Sequence, residues 1–382
     1  MISNRRQRSS CLSVILAIIL GASFIFCAHP DALKHVQDRI QNLGIFGASR
    51  VKSVIGQDGC TPIRVGNYMM WTFGDTILGS WKGDLTVNST FEDTAVMKSM
   101  ISNSLAFTFV PDDDTIPDLD FQFYRERGEV AQFIKPFPGE DPAVWRFWAI
   151  DGIQIEGTVY VYYMLIYIDK NKPRRENALP IRVMGVGLAE WTMAPQWKPG
   201  DPISFKRSAK LFYEGEPVFG DAVIRHGEHL FLIGHGPASA NRVPAFVARV
   251  RPAMIKKRSG YEFLMADGRW TASLRSAMPI AEDVMGEPSL SYNESLREYL
   301  VIYCSLEGHI KGITFTDFDV IKNKKTAVIY IPPSLPALPS RPHLAYYSGK
   351  EIFSTDRALY AIYINPAIYQ PILLKIPYRY IP

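Results

Sequence analysis

Asp58-Gly59-Cys60-Thr61-Pro62-Ile63-Arg64-Val65-Gly66-Asn67 runs directly into Tyr68-Met69-Met70-Trp71-Thr72-Phe73. An acid sits just before a short apolar strand, a turn follows, and an aromatic-rich strand returns. The phrase recurs. Asp151 precedes Gly152-Ile153-Gln154-Ile155-Glu156-Gly157 and then Thr158-Val159-Tyr160-Val161-Tyr162-Tyr163. Asp221 precedes Ala222-Val223-Ile224-Arg225, with His229-Leu230-Phe231-Leu232-Ile233-Gly234 beyond the turn. Glu287 precedes Pro288-Ser289-Leu290-Ser291-Tyr292, with Glu298-Tyr299-Leu300-Val301-Ile302-Tyr303 beyond. Successive copies lie roughly 65 to 95 residues apart, a period that signals repeated sheet units.

Each unit also contains a later, outer strand: Met100–Val110, Ile181–Trp191, Val243–Val250 and Gly308–Asp317. A looser fifth unit runs through His343-Leu344-Ala345-Tyr346-Tyr347, Ala358–Tyr363 and Gln370–Ile376. The sequence has no long amphipathic helix and no alternation of strands with helices, which argues against a nucleotide-binding α/β fold. The expected fold is all-β, a five-bladed β-propeller over residues 45–382. The Ile45–Ile55 segment is expected to close the ring by joining the last blade. Pro332–Pro342 and the acidic Pro111–Asp120 read as loops within one domain.

Ahead of the propeller, Arg5, Arg6 and Arg8 precede an apolar run from Cys11 to Ala28. A basic flank and an apolar run read as a signal peptide or, uncleaved, as a signal anchor over residues 1–28. Residues 29–44 read as a linker. The propeller is then secreted or membrane-anchored outside the cytoplasm, with the membrane contacted only through this segment.

The 382 residues carry a net charge of +4, with 47% hydrophobic, 21% charged and 12% aromatic residues. Because three of the arginines sit in the extreme N-terminus, the remainder is nearly neutral and has no nucleic-acid footprint. A P-loop, a Rossmann fingerprint and Gly-x-Ser-x-Gly are all absent, and no cofactor is expected. His226 and His229 flank a turn without a third ligand nearby, so no metal is expected. Cys60 and Cys304 belong to different units and read as two free, buried thiols.

Strand direction turns the repeated acids into a spatial expectation. Asp58 precedes the first strand of its hairpin and Asp75 follows the second, and a hairpin returns to the end it left. Both therefore lie at one rim. The inner strands of a propeller run side by side, so Asp151, Asp221 and Glu287 open onto the same rim. Carboxylates this close cannot all ionise easily, and one should rise toward a general-acid pKa. Trp71, Trp148 and His235 lie near that rim and are candidates to stack on or hydrogen-bond a sugar. The competing reading is turn capping for each acid and core packing for each ring.

The chain resembles the domain-of-unknown-function 4185 family. The likeness rests on Asp58-Gly59, Trp71-Thr72-Phe73-Gly74-Asp75-Thr76, Asn103-Ser104-Leu105-Ala106, Phe219-Gly220-Asp221-Ala222-Val223, Asp267-Gly268-Arg269-Trp270 and Gly286-Glu287-Pro288-Ser289. It covers roughly Val54 to the C-terminus. Cys60 and Pro62 depart from the family pattern in the first strand. The resemblance implies a five-bladed propeller, and some relatives are endo-acting D-arabinan hydrolases. Similar propellers in glycoside hydrolase families 43 and 32 place an Asp, Asp, Glu set at the inner strands, which Asp58, Asp221 and Glu287 match by position. The expected activity is hydrolysis of an extracellular polysaccharide, with an arabinan among the candidates. Asp58 or Asp75 is expected as base or nucleophile and Glu287 as general acid. Asp221 would hold the sugar ring or tune that acid, and Asp151 would support the substrate. The alternative readings are a propeller that binds glycan without cleaving it and an interaction scaffold.

Overall fold

The computed structural model describes residues 39–47, 53–83, 86, 89, 90, 95–169, 181–239, 241–335 and 345–382. The expected signal or anchor segment lies outside them, as do His343 and Leu344. Among the described residues, no helix is long and apolar enough to cross a membrane.

The chain folds as a five-bladed β-propeller of antiparallel sheets. The inner strands are Val54–Val65, Trp145–Ile155, Val218–His226, Ser289–Asn293 and Tyr347–Ser354. Each packs beside the next, and the last returns to the first, so the ring is closed. Second strands (Tyr68–Trp81, Thr158–Ile168, His229–His235, Glu298–Cys304 and Ala358–Asn365) turn back beside them. Five apolar clusters fill the gaps between neighbouring blades. Phe73 and Tyr360 belong to one buried cluster between the first and last blades, and Phe212 packs on Phe219 between the second and third. Each such side chain, fully buried, contributes about 1.5–3 kcal/mol.

Four details differ from the sequence expectation. Blades carry a fourth strand, such as Lys206–Tyr213 and Lys325–Tyr330. Lys206-Arg207-Ser208-Ala209-Lys210 is edge-strand chemistry, polar on its open side, and it conceals the strand from an apolar pattern search. The ring is closed by Gln41–Ile45 rather than Ile45–Ile55; Ile45 pairs with Ile372. The strand therefore begins inside the expected linker, and its companion Phe46 is buried against Trp71. The inner strand of the fifth blade is Tyr347–Ser354, not His343–Tyr347. Its centre, Lys350-Glu351, breaks the apolar run that a sequence search follows.

The fourth difference concerns the acids themselves. Asp58, Asp151 and Asp221 do not precede their strands but lie within them, at interruptions of the ladder. The register slips on both sides of Gly59, between Phe219 and Ala222, and opposite Val161/Tyr163. It slips again between Tyr347 and Lys350. A bulge leaves a residue unpaired and re-aims its side chain. This is how a half-buried strand turns a carboxylate toward the axis.

Candidate functional site

Asp58 projects from its bulge beside Gly74 on the adjacent strand. A Cβ at Gly74 would stand 2.5 Å from Asp58 Oδ1, so only glycine leaves room for the carboxylate. Asp58 Oδ2 accepts hydrogen bonds from the hydroxyls of Tyr369 at 2.8 Å and Tyr347 at 3.1 Å. Both tyrosines come from the fifth blade, which thereby completes the acid of the first. Burial pushes Asp58 up to about 8, reinforced by the Asp75 and Glu287 carboxylates and opposed by the two hydroxyls.

Asp75 stands on the second strand of the same blade and is pushed by burial to about 6. The indole N–H of Trp148 and the charge of Arg146 oppose that rise. Trp148 Nε1 nevertheless falls short of hydrogen-bonding geometry, and both it and Asp75 Oδ1 are buried without a partner.

Asp151 is held by backbone. Its Oδ1 accepts from the Gly152 N–H at 2.7 Å and its Oδ2 from the Val223 N–H at 2.8 Å, pinning the second blade to the third. Burial raises it to about 7, against those two bonds and Lys350. Asp221 Oδ2 accepts from the His235 backbone N–H at 2.7 Å and meets its Nδ1 at 2.6 Å. Asp221 Oδ1 is buried without a partner. Burial disfavours the charged His235 ring, but the Asp221 carboxylate outweighs it and raises the ring's pKa. Burial also raises Asp221.

Glu287 follows Gly286, whose φ of +83° suits glycine, and whose Cβ would meet Ser348 Oγ at 2.8 Å. Its Oε2 accepts from Lys350 Nζ at 2.6 Å, and the same ammonium donates to Thr61 Oγ1 at 2.8 Å. Lys350 is 1% exposed. A lysine buried to this degree requires a paired charge and hydrogen bonds, and Glu287 and Thr61 supply both.

These groups share one electrostatic neighbourhood. The Glu287 charge acts on Asp58, Asp151, Asp221 and His235 alike. Cys60, Ser348 and Tyr369 all adopt positive φ without being glycine, at 59°, 50° and 51°. All three flank this cluster, and strain of this kind persists where surrounding structure enforces it. A cavity of about 680 Å³ is lined by residues from all five blades, with Asp151, Asp221 and Lys350 in its wall and Asp58, Asp75 and Glu287 outside it.

Of the expected site residues, Asp58, Asp75, Asp151, Asp221, Glu287, Trp148 and His235 come together here. Trp71 does not. It is fully buried between Phe46 and Phe121 and gives its indole N–H to Thr108 Oγ1 at 2.9 Å. Strand alternation turns it to the blade interior, so it offers no face to a ligand. His226 packs edge-on against Tyr299 at the far end of its hairpin. Cys60 and Cys304 are free and buried. Asn103, from a family-like motif, is structural: its amide bridges the backbone of Phe133, Ile134 and Phe147. Lys350, Tyr347, Tyr369 and Thr61 escaped the sequence reading. The single usable signal was Lys350-Glu351 inside an otherwise apolar stretch.

The family model described as "Domain of unknown function (DUF4185)" matches residues 49–374. The chain belongs to the DUF4185 family. Among solved structures, this DUF4185 propeller is similar to a presumed hydrolase from Bacteroides ovatus, at 16% identity and a TM-score of 0.59. That match covers 86% of this chain and 87% of the other. A GH43_1 enzyme from Xanthomonas citri, also seen with xylotriose, aligns at 12% identity and a TM-score of 0.47, over 91% and 92% of the two chains. A Trypanosoma rangeli sialidase aligns at 8% identity and a TM-score of 0.43, over 88% of this chain and 59% of its own. At these identities the likeness is one of fold. No match was found among the curated proteins.

Proposed function

We propose that this DUF4185 protein is a glycoside hydrolase acting on an extracellular polysaccharide through carboxylate acid/base catalysis. The observation that carries the reading is a set of buried polar atoms without partners. Asp75 Oδ1, Trp148 Nε1 and Asp221 Oδ1 are orphaned beside Asp58 and Glu287. Buried polar atoms in a folded protein are almost always satisfied, so a hydroxyl-rich ligand or water belongs among them. A sugar supplies such hydroxyls in number.

The chemistry needs two carboxyl groups in opposite states. One protonates the leaving oxygen, and the other stabilises or attacks the anomeric carbon, directly or through water. Asp58, pushed up to about 8, is suited to hold a proton at neutral pH. Glu287 Oε2 lies 2.6 Å from the buried Lys350 ammonium, a charge that a carboxylate balances. Asp221 and His235 would meet the sugar from the third blade, Trp148 would give it an N–H, and Asp151 would hold the cavity wall. The family resemblance favours an arabinan among the possible polymers, and an exported location suits such a substrate.

Release of reducing ends from arabinans, fructans and galactofuranans tests the reading. Release by the wild type, lost in Asp58→Asn and Glu287→Gln variants that still fold, supports hydrolysis. Sugar binding that survives both changes without any release would replace hydrolysis with a binding role.

A further inference from the structure

We propose that Lys350 is a positioning residue that fixes Glu287 as the ionised carboxylate, leaving Asp58 to carry the proton and serve as the acid. The proposal rests on the hydrolase reading above and reverses the roles that the family resemblance implies. Its basis is an asymmetry in what the two carboxylates receive. Glu287 Oε2 takes a charged donor, Lys350 Nζ, at 2.6 Å. Asp58 Oδ2 takes only neutral hydroxyls, from Tyr369 and Tyr347. Asp58 Oδ1 is turned over Gly74, where a Cβ would stand 2.5 Å away.

The charged surroundings point the same way. Asp58 faces Asp75 and Glu287, both acids, together with Tyr347 and Tyr369. Glu287 faces the Lys350 ammonium, the His235 ring, the Asp58, Asp151 and Asp221 carboxyls, Tyr347 and the Cys60 thiol. One buried ammonium in contact with one of these carboxylates favours negative charge on that one over those it does not touch. Thr61 Oγ1 gives Lys350 a second anchor, so the ammonium cannot swing away from Glu287 without losing it.

The reaction balances under this assignment. The bond from the anomeric carbon to the leaving oxygen breaks as Asp58 Oδ1 gives that oxygen its proton. The new carbon–oxygen bond forms to a water whose proton passes to Glu287, or first to Glu287 itself, after which water releases the sugar. In the first course the proton gained by Glu287 returns to Asp58 through solvent; in the second, Asp58 takes its proton back from the attacking water.

The assignment can be read without any substrate. Carboxyl carbon NMR on the full-length protein labelled at Asp and Glu follows each group's titration, with Asp58→Asn and Glu287→Gln identifying the two signals. Expected are an Asp58 signal protonated at neutral pH and titrating near 8, and a Glu287 signal ionised throughout the neutral range. Lys350→Met should shift Glu287 toward protonation, and Lys350→Arg should restore the wild-type pattern. The wild-type spectrum decides the matter even if Lys350→Met fails to fold. A protonated Glu287 beside an ionised Asp58 at neutral pH overturns the proposal. That outcome leaves the hydrolase reading standing, whereas absence of any polysaccharide cleavage would leave the titration result intact.

Discussion

The ammonium of Lys350 lies 2.6 Å from the Glu287 carboxylate, and both side chains are buried between the fourth and fifth blades. The pair ties the segment leading into the fourth inner strand to the fifth inner strand, 63 residues further on. It also makes the acid end of the propeller dependent on its last blade.

Breaking that pair leaves a charge buried alone. Lys350→Met should destabilise the fold by about 3–5 kcal/mol in denaturant unfolding. Adding Glu287→Gln should recover part of that loss, because the stranded carboxylate is then removed. Equal losses in the single and double variants would contradict an ion pair at this position.

The raised carboxyls give stability a definite pH dependence. Asp58, at about 8 in the folded state, binds its proton more tightly than the unfolded chain, where the ordinary value is 3.8. Its contribution is full below about 3.8 and is lost as pH rises through about 8. Asp151, at about 7, and Asp75, at about 6, act in the same direction. Stability should therefore fall between roughly pH 4 and 8 through these groups. Asp58→Asn should flatten the upper part of that slope, measured as unfolding free energy against pH. An unchanged slope would place Asp58 in a more solvated setting.

Gly74→Ala separates positioning from folding. The added methyl would stand 2.5 Å from Asp58 Oδ1 and must displace the carboxylate. Activity should fall by about 10²-fold, the usual scale for a displacement near an ångström, with a smaller effect on stability. Full activity would mean that the Asp58 position is not used.

His235 should report on Asp221. The Asp221 carboxylate raises the ring's pKa against the cost of burial. In Asp221→Asn, the His235 titration followed by NMR should move down. A constant value would show that the 2.6 Å contact does not set its charge.

Much of this site was legible in the sequence because period-2 alternation and turn residues expose a hairpin even when its tertiary partner is unknown. Asp58, Asp151, Asp221 and Glu287 stood out through their repetition. The bulges were less visible: Gly59 and Gly220 hint at them, but a sequence does not distinguish an acid before a strand from an acid bulged out of one. Trp71 misled because a one-residue difference in strand phase exchanges site for core. Lys350 was lost for the opposite reason. A charged pair inside a strand looks like a loop until the partner from another blade is seen, and Glu287 precedes it by 63 residues. Tyr369 reaches Asp58 across 311 residues from a turn, and no local pattern marks it.

The most direct test of the account is reducing-end release from a panel of arabinans, fructans and galactofuranans by the wild type and the Asp58→Asn and Glu287→Gln variants. The account predicts release from at least one polymer by the wild type and about 10²–10⁴-fold less by each folded variant. Undiminished release by both variants, or no release from any polymer by the wild type, would contradict it.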